Sequence, residues 1–146
     1  MSELLLVVEI SGRRVAFLSS NVRSVIEIES LTPVPRAAAH VAGLATLRSG
    51  LLTVIDCAVA IGLERTPPQE RTIPAAVVEV RGHPYALWVE RIIDVTQGRS
   101  PLTAPRAHLG AGWTEVALGI VDTALGPLLV VDPEAVVAGT RVFDAA

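Results

Sequence analysis

A few residues in this 146-residue chain carry side chains that could do chemistry. Cys57 is the only cysteine and follows Asp56 at the start of a short helical signal, where a helix N-terminus could favour thiolate. No base stands beside it in sequence, and a lone cysteine excludes an internal disulfide framework and any multi-cysteine metal site. His40, His83 and His108 lie far apart, each without a local ligand partner. The chain has no G-x-S-x-G elbow and no P-loop, and Gly110-Ala111-Gly112 lacks the third glycine of a dinucleotide fingerprint. Asp56 and Asp132 each follow an apolar run and precede a short helical signal. They read as helix N-caps, contributing roughly 1 kcal/mol each, against the rival role of catalytic carboxylates. No enzyme, metal site or cofactor is therefore expected.

All twelve basic residues are arginine, and the net charge is −3. The arginines are scattered and do not alternate with aromatics, which make up only 3% of the chain, so nucleic acid is a poor partner. Hydrophobic residues make up 51% and charged residues 18%. No apolar run approaches the roughly 20 residues of a membrane helix, and direct membrane insertion is not expected. The opening LLLVV is flanked by Glu3 and Glu9 without a basic segment, unlike a signal peptide, so a cytoplasmic location is expected. A surface rich in apolar residues is expected to mark partner contacts.

The elements that must carry these residues come in two copies. Val7–Gly12 (VVEISG) matches Val77–Gly82 (VVEVRG) at an offset of 70. Val22–Ile28 (VRSVIEI) matches Val89–Val95 (VERIIDV) at 67, and Gly50–Asp56 (GLLTVID) matches Gly126–Asp132 (GPLLVVD) at 76. Each copy opens with a hairpin of period-2 alternation, turning at Gly12-Arg13 and at Gly82-His83. Each closes with an apolar strand and a capped helix: Asp56 to Gly62, and Asp132-Pro133 to Gly139. Glu64–Ile73 reads as an exposed connection, Gln97–Trp113 as irregular, and Phe143–Ala146 as a frayed tail. Short strands punctuated by Gly and Pro predict a mainly β fold of small barrels in a single domain. Its subdomain copies span approximately residues 14–75 and 76–132, with the N-terminal strand and C-terminal helix packing across them.

Residues 25–56 carry the most specific pattern. Val25-Ile26-Glu27-Ile28 is followed by Leu31–Pro35 (LTPVP), then by Val41–Ser49 (VAGLATLRS) and Thr53-Val54-Ile55-Asp56. This order resembles the CheW family of adaptors, which couple chemoreceptors to the histidine kinase CheA. The family pattern is an apolar-Glu-apolar strand, a proline pair, V-x-G-x-x-N-L-R-G and P-V-I-D-L. Ala86–Val95 and Leu118–Val137 resemble the family's later segments, so the likeness spans about residues 4–138. The chain departs from the pattern at Thr46, Ser49, Thr53, Ala86 and Glu90, and its glycine after Arg48 stands one place late, at Gly50.

The resemblance implies two intertwined, five-stranded, SH3-like barrels with short helices and a groove between them. It implies a non-catalytic adaptor whose partners are the regulatory domain of a CheA-like kinase and the cytoplasmic tip of a chemoreceptor. Weak homotypic contacts and a place at membrane-associated receptor arrays go with it. A scaffold of a non-flagellar pathway serving pili or surface motility is the near alternative, and a small ligand-binding barrel the remote one. Matched residue by residue, the receptor-groove candidates are Val25, Glu27, Arg48, Ala86 and Val89, and the kinase-interface candidates are Gly43, Leu44 and Arg48. Exposed Val and Ile along the groove would account for the apolar content. Read from the residues alone, Arg48 and Glu27 could equally be a structural pair, Val25, Ala86 and Val89 plain core, and Gly43 a turn glycine. Trp88 and Trp113 read as core, with an exposed anchor as the rival.

Overall fold

The computed structural model describes residues 3–48, 50–66, 72–105 and 109–139. His108, the Phe143–Ala146 tail and part of the connection at 64–73 fall outside the described residues. The copies begin as hairpins, β1 (Leu4–Ile10) with β2 (Arg13–Leu18), and β6 (Ile73–Val80) with β7 (His83–Trp88). Third strands follow, β3 (Val22–Ile28) and β8 (Arg91–Gln97), and then second hairpins, β4 (Val41–Leu47) with β5 (Gly50–Asp56) and β9 (Ala117–Thr123) with β10 (Gly126–Val131). Among the described residues, three short α-helices complete the set: α1 (Cys57–Ala60), α2 (Ala111–Val116) and α3 (Pro133–Ala138).

The first hairpins turn one residue earlier than expected. Ser11 and Gly12 hold φ of 51° and 81°, and Arg81 and Gly82 hold 53° and 84°. A tight two-residue hairpin needs positive φ at both central positions, so the glycine is the second turn residue and not the first. Both helix caps form as expected: Asp56 accepts from the amides of Ala58 and Val59, and Asp132 accepts from Glu134 with Pro133 in the first turn. Helix α2 arises inside the stretch expected to be irregular.

Strand pairing joins the two copies. One sheet runs β8-β1-β2-β10-β9 and the other β3-β6-β7-β5-β4. Each sheet takes its first hairpin from one copy and its other three strands from the other copy. The ladders are equivalent, with β2 parallel to β10 at Val130–Ala16 and β7 parallel to β5 at Val54–Ala86. Bridges between Gly98 and Thr123 and between Thr32 and Leu44 tie the outer strands of each sheet, curling both toward barrels. The exchange is marked by matched ion pairs, Glu9–Arg91 across β1 and β8 and Glu79–Arg23 across β6 and β3. Both lie at the surface and contribute about 0–1 kcal/mol each.

Three apolar cores follow from this arrangement. Leu5, Val7, Ala16, Val121, Leu128 and Val130 fill the first sheet's interior. Ile28, Ala45, Leu52, Val54, Ala75, Val77, Ala86 and Trp88 fill the second. Between the sheets, Leu6, Val8, Val15 and Phe17 meet Ile55, Ala76, Val78, Leu87 and Val89, together with residues of all three helices. Successive residues of a strand point to opposite faces, so β1, β2, β6 and β7 bury both faces. Their continuous apolar runs reflect that two-sided burial.

Helix α2 seats on the end of α1 through Gly112, where an added Cβ would stand 1.7 Å from the Ile61 carbonyl oxygen. Trp113, beside it, is buried in the shared core with the Arg13 guanidinium 5.0 Å over its ring. Gly112→Ala must push two backbones apart and is expected to cost about 3 kcal/mol or more. Gly50→Ala, whose added Cβ would stand 3.8 Å from the Leu47 carbonyl oxygen, should change stability by less than about 0.5 kcal/mol; urea unfolding of both variants checks the contrast.

Candidate functional site

The residues with chemical potential are committed to holding the fold. Asp56 is fully buried, and its carboxylate accepts from the Ala58, Val59 and Thr66 amides and from the Thr66 hydroxyl at 2.6 Å. Both carboxylate oxygens have partners, so Asp56 is a cap and a staple. Cys57 is buried, and burial, reinforced by the Asp56 charge, pushes its thiol far above the ordinary value of 9.0. Desolvation thus overrides the helix N-terminus that could have favoured thiolate. His40 Nε2 lies 2.8 Å from the Val137 carbonyl at the end of α3. Among the described residues no three His, Cys, Asp or Glu side chains gather as a metal site, and no helix is long and apolar enough to cross a membrane.

The candidate contact residues fall into two groups. Ala86 and Val89 are fully buried, one in the second sheet's interior and the other in the shared core. Neither side chain reaches a surface, which corrects the expectation that they line a groove. Ala86 lies on β7 between two cores and Val89 just past that strand's end, and period-2 spacing cannot tell one buried face from another. Gly43 is also buried: its φ is 153°, and a Cβ there would stand 2.7 Å from the Thr32 carbonyl oxygen. The absent side chain lets residues 29–32 lie against β4, where Leu44 exchanges backbone hydrogen bonds of 2.9 and 2.8 Å with Thr32. Gly43 therefore closes the sheet and offers no side chain to a partner.

Val25, Glu27, Leu44 and Arg48 remain accessible. β3 and β4 are the outer strands of the second sheet, drawn together by the Thr32–Leu44 bridge. On β3, Arg23 pairs with Glu79 and Glu27 accepts from the Thr72 hydroxyl. Glu27 does not pair with Arg48. Val25 stands between these tethered charges, 44% exposed.

Arg48 occupies the tip of the β4–β5 hairpin with φ of 56°, a conformation costly for a side chain with a Cβ. In the second copy the positive φ of this turn falls on a glycine, Gly126, at 95°. Leu47 and Leu51 flank the tip, 36% and 65% exposed. Leu51 was missed by sequence reasoning because it opens the apolar run 51–55; the outward-facing Thr53 two places on was the available signal. Among the described residues Arg48 forms no ion pair, and its strained backbone stands between two exposed leucines.

The family model of the CheW-like domain matches residues 4–141. A probable chemotaxis protein CheW of Rhizobium etli is 26% identical over 125 residues, covering 83% of this chain and 80% of that protein. The crystal structure of the scaffolding protein CheW from Thermoanaerobacter tengcongensis superposes with a TM-score of 0.79 at 18% identity. The match spans 93% of this chain and 88% of that one, and shows the shared fold.

The Cys57 assignment has a direct test. With its thiol kept protonated and enclosed, the folded protein at about pH 8 should leave Cys57 unlabelled by a maleimide over an hour, and denaturant should release full labelling. Rapid labelling of the folded protein would show an open, ionisable thiol.

Proposed function

The chain belongs to the CheW-like domain family, and on that basis we propose that it is a non-catalytic adaptor coupling chemoreceptors to a CheA-type histidine kinase. The observation that carries the reading is the β4–β5 tip, where Arg48 keeps a strained backbone between exposed Leu47 and Leu51. Strain persists where the surrounding structure holds it, and it concentrates at contact sites. The tip and the accessible edge at Leu44 take the kinase regulatory domain. The β3 surface at Val25 and Glu27 takes the receptor tip, whose helical hairpin presents an apolar face that suits such a surface. Buried Ala86 and Val89 and sheet-closing Gly43 act beneath these surfaces by fixing their shape. Holding both partners at once raises the concentration of kinase at receptors without any chemical step. Such an adaptor works in the cytoplasm at receptor arrays, and the same mechanism serves a pathway for pili or surface motility.

Two substitutions separate the surfaces. Arg48→Glu is expected to weaken binding of the kinase regulatory domain at least about tenfold, and Val25→Asp to weaken receptor-tip binding while leaving the kinase unaffected. Titration calorimetry with each purified partner reads both. Wild-type binding to neither partner at about 50 μM would end the adaptor reading.

Arg48→Gly gives a sharper signature. Releasing the positive φ should raise stability by up to about 1 kcal/mol while kinase binding still falls. A loss of stability would mean that Arg48 is a structural residue.

A further inference from the structure

The two sheet interiors match position by position until their mouths. Ala75, Val77 and Ala86 correspond to Leu5, Val7 and Ala16 at the hairpin offset of 70, and Ala45, Leu52 and Val54 to Val121, Leu128 and Val130 at 76. The same offset of 70 takes Leu18, at the end of β2, to Trp88, at the end of β7. The third-strand offset of 67 takes Ile28 to Val95. In the second sheet Trp88 and Ile28 are each 5% exposed and plug the end of the interior. In the first sheet a half-buried Leu18 and a 54% exposed Val95 leave that end open. A pocket of about 1060 Å³ occupies the place, its lining including Leu4, Leu18, Val95, Leu102 and Val121.

The chain itself shows what fills such a space, for in the sister sheet it is an indole. Trp88 acts there as filler, because its Nε1–H has no hydrogen-bond partner among the described residues. Gln97 and Ser100 line the first sheet's pocket, so an indole entering from outside would find acceptors that Trp88 lacks. Leu4, Val95 and Leu102 are all substantially exposed around the opening. Glu3, Thr96 and Arg99 share the lining with these apolar side chains, so the cleft is a mixed surface on which one large amphipathic anchor can seat.

We propose that this pocket receives a bulky aromatic side chain, tryptophan above all, presented by a partner protein, completing the first sheet as Trp88 completes the second. The site lies on the sheet that does not carry Arg48 and Val25, so its failure would leave the adaptor reading intact. Amide NMR titration of the whole protein with N-acetyl-tryptophanamide, to about 10 mM, tests it. Saturable shifts are expected at Leu18, Gly98 and Val121 and not at Ala45, Leu52 or Val54, with N-acetyl-alaninamide giving none. Leu18→Trp, which supplies the plug internally, should abolish the shifts. Val95→Asp, at an exposed rim position that folding tolerates, should weaken binding at least about fivefold. Absence of saturable shifts, or shifts unchanged in both variants, overturns the proposal. Free indole binding tighter than about 10 μM also overturns it, by marking a small-molecule site.

Discussion

The constraint on which this fold depends is that the two first hairpins are buried on both faces. Alternate residues of β1 and β2 enter the first sheet's interior or the seam against the other sheet, and β6 and β7 do the same in reverse. Each fully buried Val, Leu or Phe contributes about 1.5–3 kcal/mol relative to exposure, so the seam around Phe17, Val15, Leu87 and Val78 is a dominant stabilising element. Neither sheet can form without the opposite copy's hairpin, and neither hairpin can leave without exposing two apolar faces. The 51% hydrophobic content is accounted for chiefly by three cores, and not by a lined groove as expected.

Much of this was legible in the sequence. The duplicated segments located hairpins, third strands and closing strands, and the aspartate caps and terminal glycines located α1 and α3. The exchange between copies was legible only through the family resemblance, which implied intertwined barrels, because a repeated strand pattern does not say which hairpin a third strand will pair with. Ala86 and Val89 match groove positions by motif, yet both are fully buried, Ala86 on β7 between two cores and Val89 just past the strand's end. Gly112 gave no local sign of its role, since its close approach to Ile61 is a tertiary fact.

What distinguishes the copies is more informative than what they share. Equivalent turns place positive φ on Gly126 in one and on Arg48 in the other. Equivalent strand ends carry Trp88 in one and Leu18 in the other. The first difference lies at the surface and the second at the end of a sheet interior, whereas the rest of the two interiors corresponds. A duplicated scaffold that keeps its packing and varies its edges gains two unlike contact surfaces on one rigid body, as an adaptor requires. The groups with chemical potential, Asp56 and Cys57, are enclosed and satisfied, consistent with a function of contact.

The central claim is that this one rigid body holds two partners together, and simultaneous occupancy tests it most directly. Size-exclusion chromatography with light scattering, on the protein mixed with a CheA-type kinase regulatory domain and a receptor-tip fragment, reads the mass of what assembles. A complex containing all three components is expected. Two binary complexes that never combine, with one partner displacing the other, would contradict it.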